Sequence, residues 1–173
     1  MNNELYHHGI LGQKWGIHNG PPYPLSYQLS EKSPKYKTDN GDYIYPKGTI
    51  FGHVGEQSFR YPIYLYTNKK DRDYYKKYLN DYEEHIYRSK KNIKIPNEVS
   101  QIMELYKYTK DENVLEEPYD YWKDNVDSFS KISNGFFKHM KIKGYDAVVD
   151  IRDSGLSEDP IILLEPKKFL KEV

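Results

Sequence analysis

The chain has 173 residues with 26 basic and 26 acidic side chains, and therefore no formal net charge at pH 7. A balanced surface gives no bulk attraction to nucleic acid or to an anionic membrane, so we expect neither as a partner. Cysteine is absent, which excludes disulfide bonds and thiolate chemistry. The sequence has no apolar run as long as a membrane span and does not begin like a signal peptide, which predicts a soluble protein made in a cytoplasm.

The first 42 residues are predicted to form an arm and a linker. Glycine recurs between Gly9 and Gly20 and prolines follow, which rules out a continuous helix. Large apolar side chains accompany these breakers, as in a segment that docks in a groove of its own body or of a partner. The residues expected to make that contact are His7, His8, Ile10, Leu11, Lys14, Trp15 and Tyr23. Residues 26–42 are rich in turn formers, so we place the start of the body at Tyr43.

Two other uses of the arm have less support. His7, His8 and His18 are possible zinc or nickel ligands, but neither a cysteine nor a helical pair of histidines fixes a geometry. Lys14 follows glycines as in a phosphate-binding loop, yet the spacing is wrong for a P-loop and no strand precedes it. We therefore interpret the arm as an apolar anchor with incidental histidines and predict no metal site.

The first half of the body is predicted to hold two strands, a long helix and a short extended segment. Strands are expected over 43–54, entered through a Pro-Lys-Gly turn, and over 62–67. Asn68 then opens a helix predicted to end near residue 91, because tyrosines recur at three- and four-residue steps and acidic residues precede basic ones. Residues 93–95 are expected to be extended.

The second half is predicted to be helical first and to end in two buried strands. The expected elements are a helix from Pro96 or Asn97 to about Tyr108, an acidic loop at 111–118, helices at 119–131 and 136–143, strands at 145–150 and 161–164 around a polar loop, and a closing helix to Leu170. Gly135 is expected to interrupt the helical region, and Gly144 to end it in the left-handed conformation. Helices clustered between strand pairs favour an α+β fold.

The arm contains a sequence motif that resembles a signature of phage and prophage proteins of Firmicutes. It reads His-His-Gly-Ile-Leu-Gly-Gln-Lys-Trp-Gly over residues 7–16 and Asn-Gly-Pro-Pro-Tyr-Pro-Leu over residues 19–25. In such proteins the signature often lies near minor head or portal-associated genes. The resemblance implies a phage virion or a host bacterial cytoplasm as the location, and a phage head or portal protein, or a host protein, as the partner.

The body resembles phage-borne ADP-ribosyltransferase-like domains. The matching words are Lys-Gly-Tyr-Asp-Ala-Val-Val at 143–149 and Asp-Pro-Ile-Ile-Leu-Leu-Glu-Pro-Lys at 159–167. Residues 64–75 resemble the second strand and following helix of proteins that share the arm signature. The resemblance implies that residues 43–173 form two small antiparallel sheets with NAD held in the cleft between them.

Members of that superfamily place three residues around NAD: Arg or His on the first strand, Ser or Tyr on the second, and an acid near a late strand. By position, the resemblance assigns these roles to His53, to Tyr66 and to Glu158, or less favourably Asp159, with Gly52 beside the cofactor. Cleavage of the nicotinamide bond develops positive charge on the ribose, which a carboxylate stabilises. The sequence lacks the usual arginine on the first strand and has tyrosine in place of Ser or Thr on the second.

Each of these residues also has a structural interpretation. His53 can be a strand-end histidine, Tyr66 a core residue and Glu158 part of a solvated turn. Two functions therefore remain open: an NAD-consuming transferase or hydrolase that acts as an effector, and a catalytically inactive head- or portal-associated protein that docks through its arm. The first requires that the three side chains line a single cleft.

Overall fold

The computed structural model describes residues 28–55, 59, 62–127 and 130–173. Over these residues the fold is α+β, as predicted, but its strands form three small antiparallel sheets rather than two. The arm residues predicted to contact a partner, from His7 to Tyr23, lie outside the described residues. None of the described helices is long and apolar enough to cross a membrane.

Nine short strands and six helices make up the described part of the chain. The strands are β1 (Tyr36–Lys37), β2 (Tyr43–Tyr45), β3 (Ile50–Val54), β4 (Ile63–Leu65), β5 (Glu84–Ser89), β6 (Ile93–Ile95), β7 (Ala147–Val149), β8 (Ile161–Leu163) and β9 (Leu170–Glu172). The helices are α1 (Lys69–Tyr78), α2 (Glu98–Thr109), α3 (Asn113–Glu116), α4 (Pro118–Asn125), α5 (Lys131–Ile142) and α6 (Pro166–Phe169). Hydrogen bonding orders the strands β1-β2-β6, β3-β5-β9 and β4-β8-β7.

Strand β8 lies at the centre of the third sheet and has apolar layers on both faces. Ile161 and Leu163 pack in a cluster to which all three sheets contribute, whereas Ile162 packs in a second cluster with residues of α2, α4 and α5. Successive side chains of a strand point to opposite faces, so burial on both faces requires the continuous apolar run found here. This sheet positions the site described below, because β4 and the segment after β7 both line it.

Part of the predicted linker belongs to the folded body. Leu29 is buried against Val54 and Tyr66, and β1 pairs with β2. Lys35 forms an ion pair with Asp159, which lies near the C-terminal end of the sequence. The body therefore begins ahead of the predicted boundary at Tyr43, because residues 28–42 contribute a core side chain, a strand and an ion pair.

The long helix predicted from Asn68 to about residue 91 is wrong in its second half. Helix α1 ends at Tyr78, and residues 84–89 form β5, the central strand between β3 and β9. In that register Tyr87 lies opposite Phe51, and both side chains are fully buried. Pairing on both edges and burial of Tyr87 override the helical spacing of the tyrosines, which is a local signal only.

Two glycine predictions had different outcomes. Gly144 has φ +87°, which confirms the left-handed residue predicted after α5. Gly135 does not interrupt a helix, because it lies inside α5, where a Cβ would come within 1.9 Å of the Tyr108 hydroxyl. The glycine leaves room there for the Tyr108 side chain of α2. Strand β9, which follows the predicted closing helix, was not predicted from the sequence.

Candidate functional site: an aromatic and acidic pocket

A pocket of about 490 Å³ opens between the strands β3 and β4, the helix α1 and the segment that follows β7. This volume is typical of small-molecule sites. The strands contribute His53, Tyr64 and Tyr66, and the helix contributes three further tyrosines. The third wall carries three aspartates and one arginine. We call this cavity the aromatic–acidic pocket.

Helix α1 presents its tyrosines to the pocket because of where the helix begins. The side chain of Asn68 accepts a hydrogen bond from the backbone N–H of Asp71, which fixes the N-terminus of the helix. One turn later Tyr74, Tyr75 and Tyr78 line the cavity. Their rings form a connected group, with centroids 5.3 Å apart between Tyr74 and Tyr75 and 5.0 Å apart between Tyr74 and Tyr78.

Tyr66 supports this wall and is not available as a stacking platform for a ligand. Its ring is buried, with 2% of the residue exposed, and stacks on Tyr75 at 5.6 Å. On β3, Gly52 leaves room for that ring, since a Cβ there would lie 2.2 Å from Cε2 of Tyr66. The Tyr66 hydroxyl donates to Glu84, which also accepts from Arg72 at 2.7 Å. Gly52 therefore accommodates Tyr66, whose ring packs on Tyr75, and Tyr75 in turn lines the pocket.

His53 lies on β3 with its ring at the pocket. Its Nδ1 lies 2.8 Å from the backbone oxygen of Tyr64, which can only accept, so Nδ1 carries the donated hydrogen. In the neutral ring Nε2 is then the basic nitrogen. The ring of His85 on the neighbouring strand stacks on His53 at 6.4 Å.

Each pocket aspartate is oriented by an aromatic donor. The hydroxyl of Tyr64 donates to Asp127 at 2.6 Å, and the hydroxyl of Tyr75 donates to Asp153 at 2.8 Å. Trp122 donates its indole N–H to Asp150 at 2.9 Å. Such hydrogen bonds hold carboxylates in fixed positions, which is the preorganisation that electrostatic catalysis and tight binding require.

Asp150 titrates near neutral pH. Burial, followed by the charges of Asp153 and Asp127, raises the pKa of Asp150 to about 7. Only 2% of the residue is exposed. Arg152 donates its backbone N–H to Asp150 and its guanidinium to Asp127, so Asp127 has a cationic partner in direct contact. A carboxyl group that exchanges a proton near pH 7 can serve as a general acid or base.

The acids predicted from the sequence lie elsewhere. Glu158 pairs with Lys70 at 3.0 Å with its side chain 44% exposed. Asp159 is buried, accepts from Thr67 at 2.7 Å and pairs with Lys35. Both line a separate cavity of about 300 Å³ and not the aromatic–acidic pocket. The structure thus brings His53 and Tyr66 to one pocket but does not bring Glu158 or Asp159 to them.

Sequence reasoning missed the aspartates that do line the pocket. A signal for two of them was present, since Asp150 and Asp153 directly follow a buried strand, where polar side chains often mark a site. For Asp127 the sequence offers no such signal, because it reaches the pocket only through the packing of α4. The tyrosines of α1 were predicted to face inward; Tyr74, Tyr75 and Tyr78 line this cavity, but Tyr78 is 64% exposed and does not face the core.

Among the described residues, no three His, Cys, Asp or Glu side chains are grouped so as to hold a metal ion. Comparisons with protein-family models, with curated proteins and with solved structures found no match to this chain.

Proposed function

We propose that the aromatic–acidic pocket binds NAD⁺ and promotes cleavage of the bond between nicotinamide and ribose. The observation that carries the proposal is the meeting of His53, the Tyr75 ring and the carboxylates of Asp150 and Asp153 around one cavity of small-molecule size. The oxidised nicotinamide ring is flat and positively charged. Aromatic faces next to carboxylates suit such a group.

The same residues have the chemistry that the cleavage needs. As the bond breaks, positive charge moves from the nicotinamide to the ribose, and a fixed carboxylate stabilises that charge more in the transition state than in the ground state. Asp153 is placed in this role. Asp150, with its pKa about 7, would accept the proton of the attacking water or acceptor. In this proposal Asp153 replaces Glu158, the acid selected from the sequence.

The test compares Asp153→Asn with Glu158→Gln. We expect millimolar NAD⁺ to raise the melting temperature of the wild-type chain and chromatography to show release of nicotinamide. Asp153→Asn should lower the release rate roughly 100-fold or more, whereas Glu158→Gln should leave it unchanged. The proposal is wrong if NAD⁺ neither stabilises the protein nor releases nicotinamide, and the choice of acid is wrong if Glu158→Gln is the inactive variant.

A second candidate function is binding without catalysis, as a head- or portal-associated phage protein. It is favoured by the position of the predicted residues: Tyr66 is used in packing, and Glu158 pairs with Lys70 at the surface. In this function the arm attaches the protein to its partner. We expect deletion of residues 1–25 to abolish co-sedimentation with phage heads while the melting temperature of the body is unchanged; retained co-sedimentation would exclude an outward-docking arm.

A further inference from the structure

Among the described residues that line the aromatic–acidic pocket, acidic side chains outnumber basic ones. Three carboxylates face one guanidinium, and the ion pair of that guanidinium is with Asp127. Within the described residues, neither Asp150 nor Asp153 lies in an ion pair, and the hydrogen bonds that Asp150 accepts come from the Trp122 indole and the backbone N–H of Arg152, neither of which carries a formal charge. A cation supplied from outside would therefore be attracted to Asp153 and to the ionised form of Asp150.

The walls of the pocket favour an organic cation. Tyr74, Tyr75 and Tyr78 line the pocket, and aromatic rings attract ammonium and guanidinium groups. The described residues do not offer the grouped ligands that a metal ion needs. The cation expected here is therefore carried on an apolar stem, as in lysine and arginine side chains.

The surface around the entrance is suited to a protein. Tyr78, which lines the pocket, is 64% exposed, and Tyr119, on the helix α4 that packs against residues 151–153, is 45% exposed. Exposed tyrosines are enriched where protein interfaces form. A free small molecule inside the cavity would leave these rings in water, whereas a polypeptide would cover them.

Helix α4, which packs against residues 151–153 of the pocket wall, and the segment before it form an acidic flank. Residues 111–125, which include Tyr119, carry six acidic side chains and one lysine. Glu116, Glu117 and Asp120 are exposed and form no ion pair within the described part of the chain. A basic segment laid across this flank would bring its positive charge toward acidic side chains on the surface and in the pocket.

We propose that the pocket and its tyrosine entrance bind a basic segment of a partner protein, with one arginine or lysine side chain inserted between the tyrosines and the aspartates. The main chain of the segment lies against Tyr78 and Tyr119. This inference concerns a protein ligand and does not depend on cleavage of NAD⁺. Because both ligands would place positive charge in one cavity, they should compete.

The test measures the binding of three fluorescently labelled nine-residue peptides to the full-length chain by fluorescence anisotropy. They share the sequence Gly-Ser-Leu-X-Leu-Ser-Gly-Ser-Gly, with X as arginine, lysine or citrulline, the last being a neutral analogue of arginine, so that X is the only side chain that can carry a positive charge. We expect the arginine and lysine peptides to bind at least about 10-fold more tightly than the citrulline peptide, the ratio that 1.4 kcal/mol produces. Equal affinity for all three peptides would overturn the proposal.

Matched variants locate the contact. Asp153→Asn and Tyr78→Ser should each lower the affinity for the arginine peptide about 10-fold. The control variants Glu158→Gln and Tyr36→Ser, which alter an acid and an exposed tyrosine away from the pocket, should leave that affinity unchanged. Melting temperatures show that each variant is folded. The proposal fails if the two control variants weaken binding as much as the pocket variants, or if agmatine alone binds as tightly as the peptide.

If NAD⁺ binds but does not displace the arginine peptide, the proposal that the two ligands share one cavity is wrong. If the peptide binds and NAD⁺ does not, the inference stands while the proposed function fails, so the two failures can be told apart.

Discussion

Asp150 and Asp159 are equally buried, nine residues apart, and surrounded in opposite ways. Asp159 accepts from Thr67, pairs with Lys35 and closes a loop onto α1. Asp150 accepts from Trp122 and from the backbone, and it has two other carboxylates nearby that raise its pKa to about 7. A carboxylate saturated with donors and a counter-ion stabilises the fold, whereas one that faces a cavity among like charges is available for a ligand or a proton.

The largest loss of stability is expected from replacing Asp159, the carboxylate with a full set of partners. Asp159→Ala should lower the free energy of unfolding by about 3–5 kcal/mol, because it leaves the partly buried Lys35 without its counter-ion and Thr67 without its acceptor. Urea unfolding measures the loss. Replacing Lys35 as well should restore part of the lost free energy of unfolding. A small effect of Asp159→Ala alone would mean that the contacts of Asp159 do not stabilise the fold.

The next effect tests whether Tyr66 belongs with the structural residues. Gly52→Ala should destabilise the chain by about 1–3 kcal/mol, since the new methyl would overlap the fixed ring of Tyr66. The double variant Gly52→Ala, Tyr66→Ala should lose less than the sum of the two single variants. Simple additivity in thermal unfolding would contradict the contact between them.

On the open side, Asp150→Asn should stabilise the fold, and more so at high pH. Between about pH 4 and pH 7 the native state holds a proton on Asp150 that the unfolded chain has released, so this group's contribution to stability falls as the pH rises. The asparagine keeps an acceptor for Trp122 and lacks the charge beside Asp127, Asp153 and Arg152. We expect a gain of roughly 2–4 kcal/mol at pH 8 and little gain at pH 4. A gain that does not change with pH would show that Asp150 titrates normally.

The smallest effect is expected at Glu158. Its ion pair with Lys70 lies at the surface, so Glu158→Gln should leave the melting temperature nearly unchanged at any salt concentration. Circular dichroism melts in low and high salt check this. A clear loss of stability would mean that Glu158, like Asp159, stabilises the fold.

The pattern of the sequence predicted most elements whose signals are local. Asn97 caps α2 where a helix start was expected, and the apolar run at 161–164 forms a buried strand. It failed where pairing between distant segments decides the outcome, as in β5, whose tyrosine spacing also fits a helix. The same limit applied to the site: His53 and Tyr66 lie at one pocket, but Glu158 and Asp159 line another cavity.

The sequence by itself determined the α+β class, through the order of its elements, and the helix caps and the left-handed glycine, because these depend on residues within a few positions of one another. Only the tertiary structure decided which of the aspartates meet. The chain brings Asp127, Asp150 and Asp153 together from α4 and the end of β7, and it turns Glu158 outward by fixing its backbone to Asp71. Contacts between residues so far apart in the chain depend on packing geometry, which no local pattern encodes.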